Sequence, residues 1–176
     1  DSARRVFLER CNATQTLPLP LLIARDPAAN REIDLSHYKM GDQLAQNFAL
    51  VLPKMAAQGV ELEALLLSHN PIGEPGILAI AGALESCQQL RRLDLSGVDF
   101  SAAAGIAALG AALNTNNPRH PPIEALALAK SRLSDRGATE LLQSLEAHRT
   151  ICELDLSGNS LGGFSEREDE ELVWPF

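Results

Sequence analysis

One phrase, written several times over, governs what this chain can fold into. It runs apolar, any, apolar, two variable positions, a small or polar residue, one further residue, then apolar again. The clearest copies are Leu65-Leu66-Leu67-Ser68-His69-Asn70-Pro71-Ile72 and Leu154-Asp155-Leu156-Ser157-Gly158-Asn159-Ser160-Leu161. Looser ones begin at Ile33, Leu93 and Leu126, and a first copy is read at Val6-Phe7-Leu8-Glu9-Arg10-Cys11. Anchored on the second apolar residue, the copies stand at Leu8, Leu35, Leu67, Leu95, Leu128 and Leu156, at intervals of 27, 32, 28, 33 and 28 residues. Six units at nearly constant spacing mark a repeat architecture.

Two periodicities alternate within each unit. The Leu-x-Leu portion has period two, as a short strand with one buried face requires. About ten residues later the period becomes helical. Ile77, Ile80, Ala81 and Leu84 fall at i, i+3, i+4 and i+7, as do Ala138, Leu141, Leu142 and Leu145. Ile106, Leu109 and Leu113 continue the stripe, as do Leu44, Phe48 and Val51, and Ser134 is placed to cap its helix. A strand and a helix whose apolar faces point the same way bury them by stacking on copies of themselves. The expected α/β fold is a curved solenoid with parallel strands on the concave face and helices on the convex face. Two units carry extra length, around residues 53–60 and through the Pro- and Asn-rich stretch 114–122, which is expected to protrude as a loop. Pro18 and Pro20 exclude a normal helix in the first unit between Thr16 and Leu22.

These residues resemble the ribonuclease-inhibitor-like class of leucine-rich repeats. Residues 62–76, from Leu62 to Gly76, match its phrase best, with Leu62, Leu65, Leu67 and Asn70 at the key positions followed by Ile72-Gly73 and the helix opening at Gly76. The likeness covers residues 6–163, leaving residues 164–176 as an acidic cap or truncated segment, and implies a right-handed superhelix in a fragment of a larger protein. It departs at the Asn/Cys position, where Tyr38, Val98 and Ser131 stand; in the family that residue bonds the backbone of neighbouring turns. The resemblance also implies function by binding proteins. Similar repeats occur as regulatory parts of Ran GTPase-activating proteins, actin-regulatory capping-protein linkers and innate-immune nucleotide-binding receptors. With three cysteines the chain is unlike the cysteine-rich ribonuclease inhibitor itself.

Composition narrows the partner. With 45% hydrophobic but only 4% aromatic residues, the core must be packed by Leu, Ala, Ile and Val. A formal net charge of −8 argues against nucleic acid, whose phosphates need clustered Lys and Arg, and suits a basic protein ligand. No apolar stretch approaches a membrane span. Cys11, Cys87 and Cys152 lie far apart with no metal spacing, which points to reduced thiols in a cytoplasmic or nuclear setting.

No catalytic constellation is present: there is no phosphate-binding Gly-rich loop, HExxH or nucleophile elbow, so neither enzyme activity nor a cofactor is expected. His37 and His69 fall at one point of successive units, but a metal needs a third ligand and Gly97 stands next in the column. Asp34, Asp94 and Asp155 occur in alternate units, roughly 10 Å apart as strand spacings go, too far for paired acid/base work. What remains is a surface. The middle concave column reads Phe7, Asp34, Leu66, Asp94, Ala127, Asp155, alternating apolar and acidic, and the next column, Glu9, Ser36, Ser68, Ser96, Ala129, Ser157, is mostly small. Arg5, Glu32, Arg92 and Glu153 add mixed charge. The residues expected to meet a protein ligand are Phe7, Asp34, His37, Leu66, His69, Arg92, Asp94, Ala127, Lys130 and Asp155, with docking between Phe7 and Leu66.

After Gly163 the repeat stops in an acidic run followed by Leu172-Val173-Trp174-Pro175-Phe176. Two readings stand: a helix belonging to a cap or a further repeat, with its acids at the N-terminal end of the dipole, or an amphipathic peptide for another protein.

Overall fold

In the computed structural model, which describes residues 2–19 and 31–162, strands and helices alternate along one axis. The order is α1 (Ala3–Ala13), β1 (Glu32–Asp34), α2 (Asp42–Ala49), α3 (Leu52–Ala57), β2 (Ala64–Leu66), α4 (Glu74–Leu84), β3 (Arg92–Asp94), α5 (Ala103–Leu113), β4 (Ala125–Ala127), α6 (Asp135–Leu145) and β5 (Glu153–Asp155). The five strands form one parallel sheet in sequence order. Ile33, Leu65, Leu93, Leu126 and Leu154 lie in register as one inward row, and Asp34, Leu66, Asp94, Ala127 and Asp155 as the outward row beside it. A period of two leaves no other arrangement: a slip of one residue would turn every core leucine into water.

The helices stack in chain order, α2 on α4, α4 on α5 and α5 on α6. Their predicted stripes are buried, with Ile77, Ile80, Ala81 and Leu84 all 3% exposed or less. Each such aliphatic side chain contributes roughly 1.5–3 kcal/mol by leaving water. Leu142 departs from its stripe at 47% exposure, because it faces the side of α6 on which no further described helix packs. Close helix stacking needs small residues. A Cβ on Gly76 would come within 2.5 Å of Ile72 and 2.8 Å of Asp42 Oδ1, so the chain passes there only as glycine.

The first repeat copy is not a strand. Residues Ala3–Ala13 form α1, capped by Ser2, whose side chain accepts from the Arg5 amide. Ala3, Phe7 and Cys11, at i, i+4 and i+8, are buried against α2 and α3, and Phe7 is 0% exposed. The same residues carry both an alternating and a helical pattern, and tertiary packing selects the helical one. Phe7 is therefore core rather than concave surface, and Arg5 and Glu9 form an i, i+4 ion pair on α1 instead of lining the sheet.

The longer units behave differently from each other. Around residues 53–60 the extra length becomes α3, with Pro53 in its first turn, where a missing amide costs nothing. Residues 114–122 form a turn-rich loop without helix, as their composition demands. Thr16–Leu19 are likewise non-helical before Pro20. Residues 20–30, and the segment 164–176 read as a cap or further repeat, lie outside the described residues.

At the turn after each strand, backbone groups need partners. Asn70 supplies them from inside: its Nδ2 donates to the carbonyls of Leu35 and Leu67 at 2.8 Å, and its Oδ1 accepts from Met40 N at 2.9 Å. Asn159 does the same for Leu128, Leu156, Ser131 and Leu133. Ser131, which breaks the residue pattern, keeps part of the function: its hydroxyl donates to Leu95 O and accepts from Gly97 N. Val98 is buried without polar atoms, and Tyr38 stands 44% exposed.

Candidate functional site

The concave sheet is built by side chains that point away from the inward leucines. Across it, in register, run Glu32, Ala64, Arg92, Ala125, Glu153 and then Asp34, Leu66, Asp94, Ala127, Asp155. Leu66 and Ala127 are half-buried, Asp34 and Asp155 exposed. Small Ala125 and Ala127 on β4, between larger residues on β3 and β5, leave a shallow trough of about 420 Å³ walled by Arg92, Asp94, Glu153 and Asp155.

Each aspartate has a local task that the sequence reading missed. Asp34, Asp94 and Asp155 each accept, through Oδ1 at 2.9 Å, from the amide two residues on: Ser36, Ser96 and Ser157. This closes the turn leaving the strand. Hydrogen bonds from the Ser157 side chain and then its amide hold the Asp155 carboxyl below its ordinary range. The Asp-x-Ser spacing was the available signal. None of the three carboxylates forms an ion pair among the described residues.

Along the strand C-terminal rim runs a column with left-handed backbone: His37 (φ 61°), His69 (56°), Gly97 (73°), Lys130 (52°) and Gly158 (67°). The His37 and His69 rings stack, centroids 4.6 Å apart and planes 17° from parallel. His69 leans over Gly97, where an added Cβ would lie 2.8 Å from its Nδ1, and Lys130 leans over Gly158 in the same way. Both glycines therefore meet a conformational and a steric need. Stacked rings aim their nitrogens side by side rather than at a common point, and among the described residues no three His, Cys, Asp or Glu side chains gather as metal ligands.

At the opposite rim, the residue preceding each of the first four strands alternates in charge: Arg31, Glu63, Arg91, Glu124. Arg31 pairs with Glu63 and Arg91 with Glu124, so these cations are committed between units. Of the predicted contact residues, Asp34, Leu66, Arg92, Asp94, Ala127 and Asp155 share the sheet face; His37, His69 and Lys130 share its rim; Phe7 joins neither. Among the described residues no helix is long and apolar enough to cross a membrane.

A parallel sheet in sequence order, one helical connection per strand and a buried Asn or Ser at the turn describe a leucine-rich-repeat solenoid. A family model described as Leucine Rich repeat matches residues 62–81, the unit of β2 and α4. The chain is similar to a ribonuclease inhibitor from Sus scrofa, 31% identical over 159 residues, which is 90% of this chain and 33% of that protein. The chain thus has the leucine-rich-repeat fold and is similar to the ribonuclease-inhibitor-like class, and spans about a third of the length of the curated relative it matches.

Proposed function

We propose that this chain is a non-enzymatic protein-binding scaffold, whose ligand docks on the concave sheet through basic side chains set over the β3–β5 trough. One observation carries the reading: the sheet face presents Glu32, Asp34, Asp94, Glu153 and Asp155 against Arg92, while Arg31 and Arg91 at its edge are already paired. Unpaired carboxylates on a rigid surface steer cationic partners and fix their register. Leu66, half-buried between Asp34 and Asp94, supplies an apolar anchor, and the small floor at Ala125 and Ala127 lets a side chain approach the sheet. The Sus scrofa relative is named as an inhibitor of ribonuclease, a role that needs contact with a protein, which supports binding as the mode of action. The three free thiols support a reducing, cytoplasmic setting.

The test uses a photo-crosslinking residue at Ala127, with Ala107 on convex α5 as control. A partner captured at Ala127 and lost on Asp94→Asn with Asp155→Asn supports the reading, with affinity falling as salt rises. A partner captured equally at Ala107, or indifferent to both aspartates, overturns it.

A further inference from the structure

The loop at residues 114–122 is held from two sides. Toward the preceding unit, Gln88 Nε2 donates to the Arg119 carbonyl at 2.8 Å and Asn117 Nδ2 donates to Glu85 Oε1 at 3.3 Å. Toward the following unit, the His120 ring meets the His148 ring in a T-shaped contact, centroids 5.6 Å apart and planes at 81°.

Hydrogen bonding fixes where each ring keeps its proton. His120 Nδ1 lies 2.7 Å from the Asn117 carbonyl, which can only accept, so Nδ1 carries the hydrogen. Thr150 donates its single hydroxyl hydrogen to Ile123 O at 2.7 Å, so its 3.1 Å contact with His148 Nδ1 must use a ring hydrogen. In the neutral state both rings therefore have a bare Nε2. That of His148 is buried and has no hydrogen-bond partner among the described residues. A proton placed there would create a charged N–H with no acceptor beside a second imidazole. Burial first, and the charge of His120 second, hold His148 below the ordinary histidine value.

Among the described residues no carboxylate pairs with His148. The loop contributes Arg119. On the turn after α4, Glu85 is bonded to Asn117. Before β4, Glu124 is paired with Arg91. Before β5, the Cys152 thiol donates to the Glu124 carbonyl. The turn of His148 itself adds Glu146 and Arg149.

We propose that His120 and His148 form a pH-sensitive latch, which docks the 114–122 loop against the following unit while both rings are neutral and releases it when His148 is protonated. Because the docked state lowers the His148 value, the released state binds more protons. Docking is thus at full strength above the free-histidine value near 6.5 and is lost as pH falls through it toward the docked value.

Long-range proton–nitrogen NMR should show the Nδ1–H form of His148 and a titration below the ordinary histidine range. Amide exchange of the full chain, corrected for intrinsic rates, should show loop protection falling at least about threefold between roughly pH 7.5 and 5.5 while β3 and β4 stay unchanged. His148→Phe, a planar ring that cannot titrate, should abolish that difference. If it loosens the loop at both pH values, His120→Gln decides: a flat response supports the latch, a persisting one overturns it. An Nε2–H form, a titration at or above the ordinary value, or equal loop protection at both pH values in the unmodified chain also overturns it.

Discussion

Replacing Asn70 by alanine removes a buried set of hydrogen bonds that ties two units together without touching the concave surface. The side chain is 2% exposed. It satisfies the carbonyls of Leu35 and Leu67 and the amide of Met40, all at 2.8–2.9 Å. Each buried group left unpaired costs about 1–3 kcal/mol, and partial relaxation or water entry softens the sum, so Asn70→Ala should destabilise by roughly 3–5 kcal/mol. Asn70→Ser gives the sharper comparison, because Ser131 already holds the same turn with one hydroxyl bonded to Leu95 O at 3.1 Å and Gly97 N at 3.2 Å. Serine should therefore recover about half of the loss. Urea unfolding followed by far-ultraviolet circular dichroism measures both, through the shift in midpoint at constant slope. An alanine variant within about 0.5 kcal/mol of the unmodified chain would refute the ladder argument, since that is the scale of ordinary surface substitutions. A serine variant no better than alanine would refute the equivalence of Ser131 and Asn70.

Three further outcomes are expected. Phe7→Ala should cost about 3–5 kcal/mol of stability, whereas Leu66→Ala should cost far less and act on partner affinity; equal thermal shifts would contradict the placement of Phe7 in the core. Gly97→Ala should destabilise by roughly 1–2 kcal/mol, from its positive φ and the displaced imidazole, and should alter the ring shifts of His37 and His69; unchanged ring shifts would show that the stack does not depend on that space. Near pH 8 a thiol-reactive dye should modify Cys152 quickly and Cys11 and Cys87 slowly, because the latter two are buried and burial pushes the Cys87 thiol up to about 11. Two fast thiols in the folded chain would refute the assignment.

Most of the architecture was legible because its signals are local and repeated. The Leu-x-Leu phrases at Leu65, Leu93, Leu126 and Leu154 specify strand, face and register together, and the stripes in α4 and α5 specify which helical side is buried. Loop 114–122 was legible from its prolines and asparagines. The concave row from Asp34 to Asp155 followed from the register alone. The Val6–Cys11 copy misled because a short apolar cluster satisfies both periods, and only the packing of Ala3, Phe7 and Cys11 on α2 and α3 decides between them.

What the sequence determined by itself was the repeat, its alternation of strand and helix, and the row of residues on the outer face of the sheet, since each depends on spacing within one unit. Tertiary structure decided the rest. It made Phe7 core, let Ser131 stand in for an asparagine, tied one oxygen of each concave aspartate to its own turn, and brought His120 against His148 across 28 positions of sequence. Those outcomes depend on which atoms of neighbouring units meet, and units of unequal length make such meetings depend on stacking geometry that no single unit encodes.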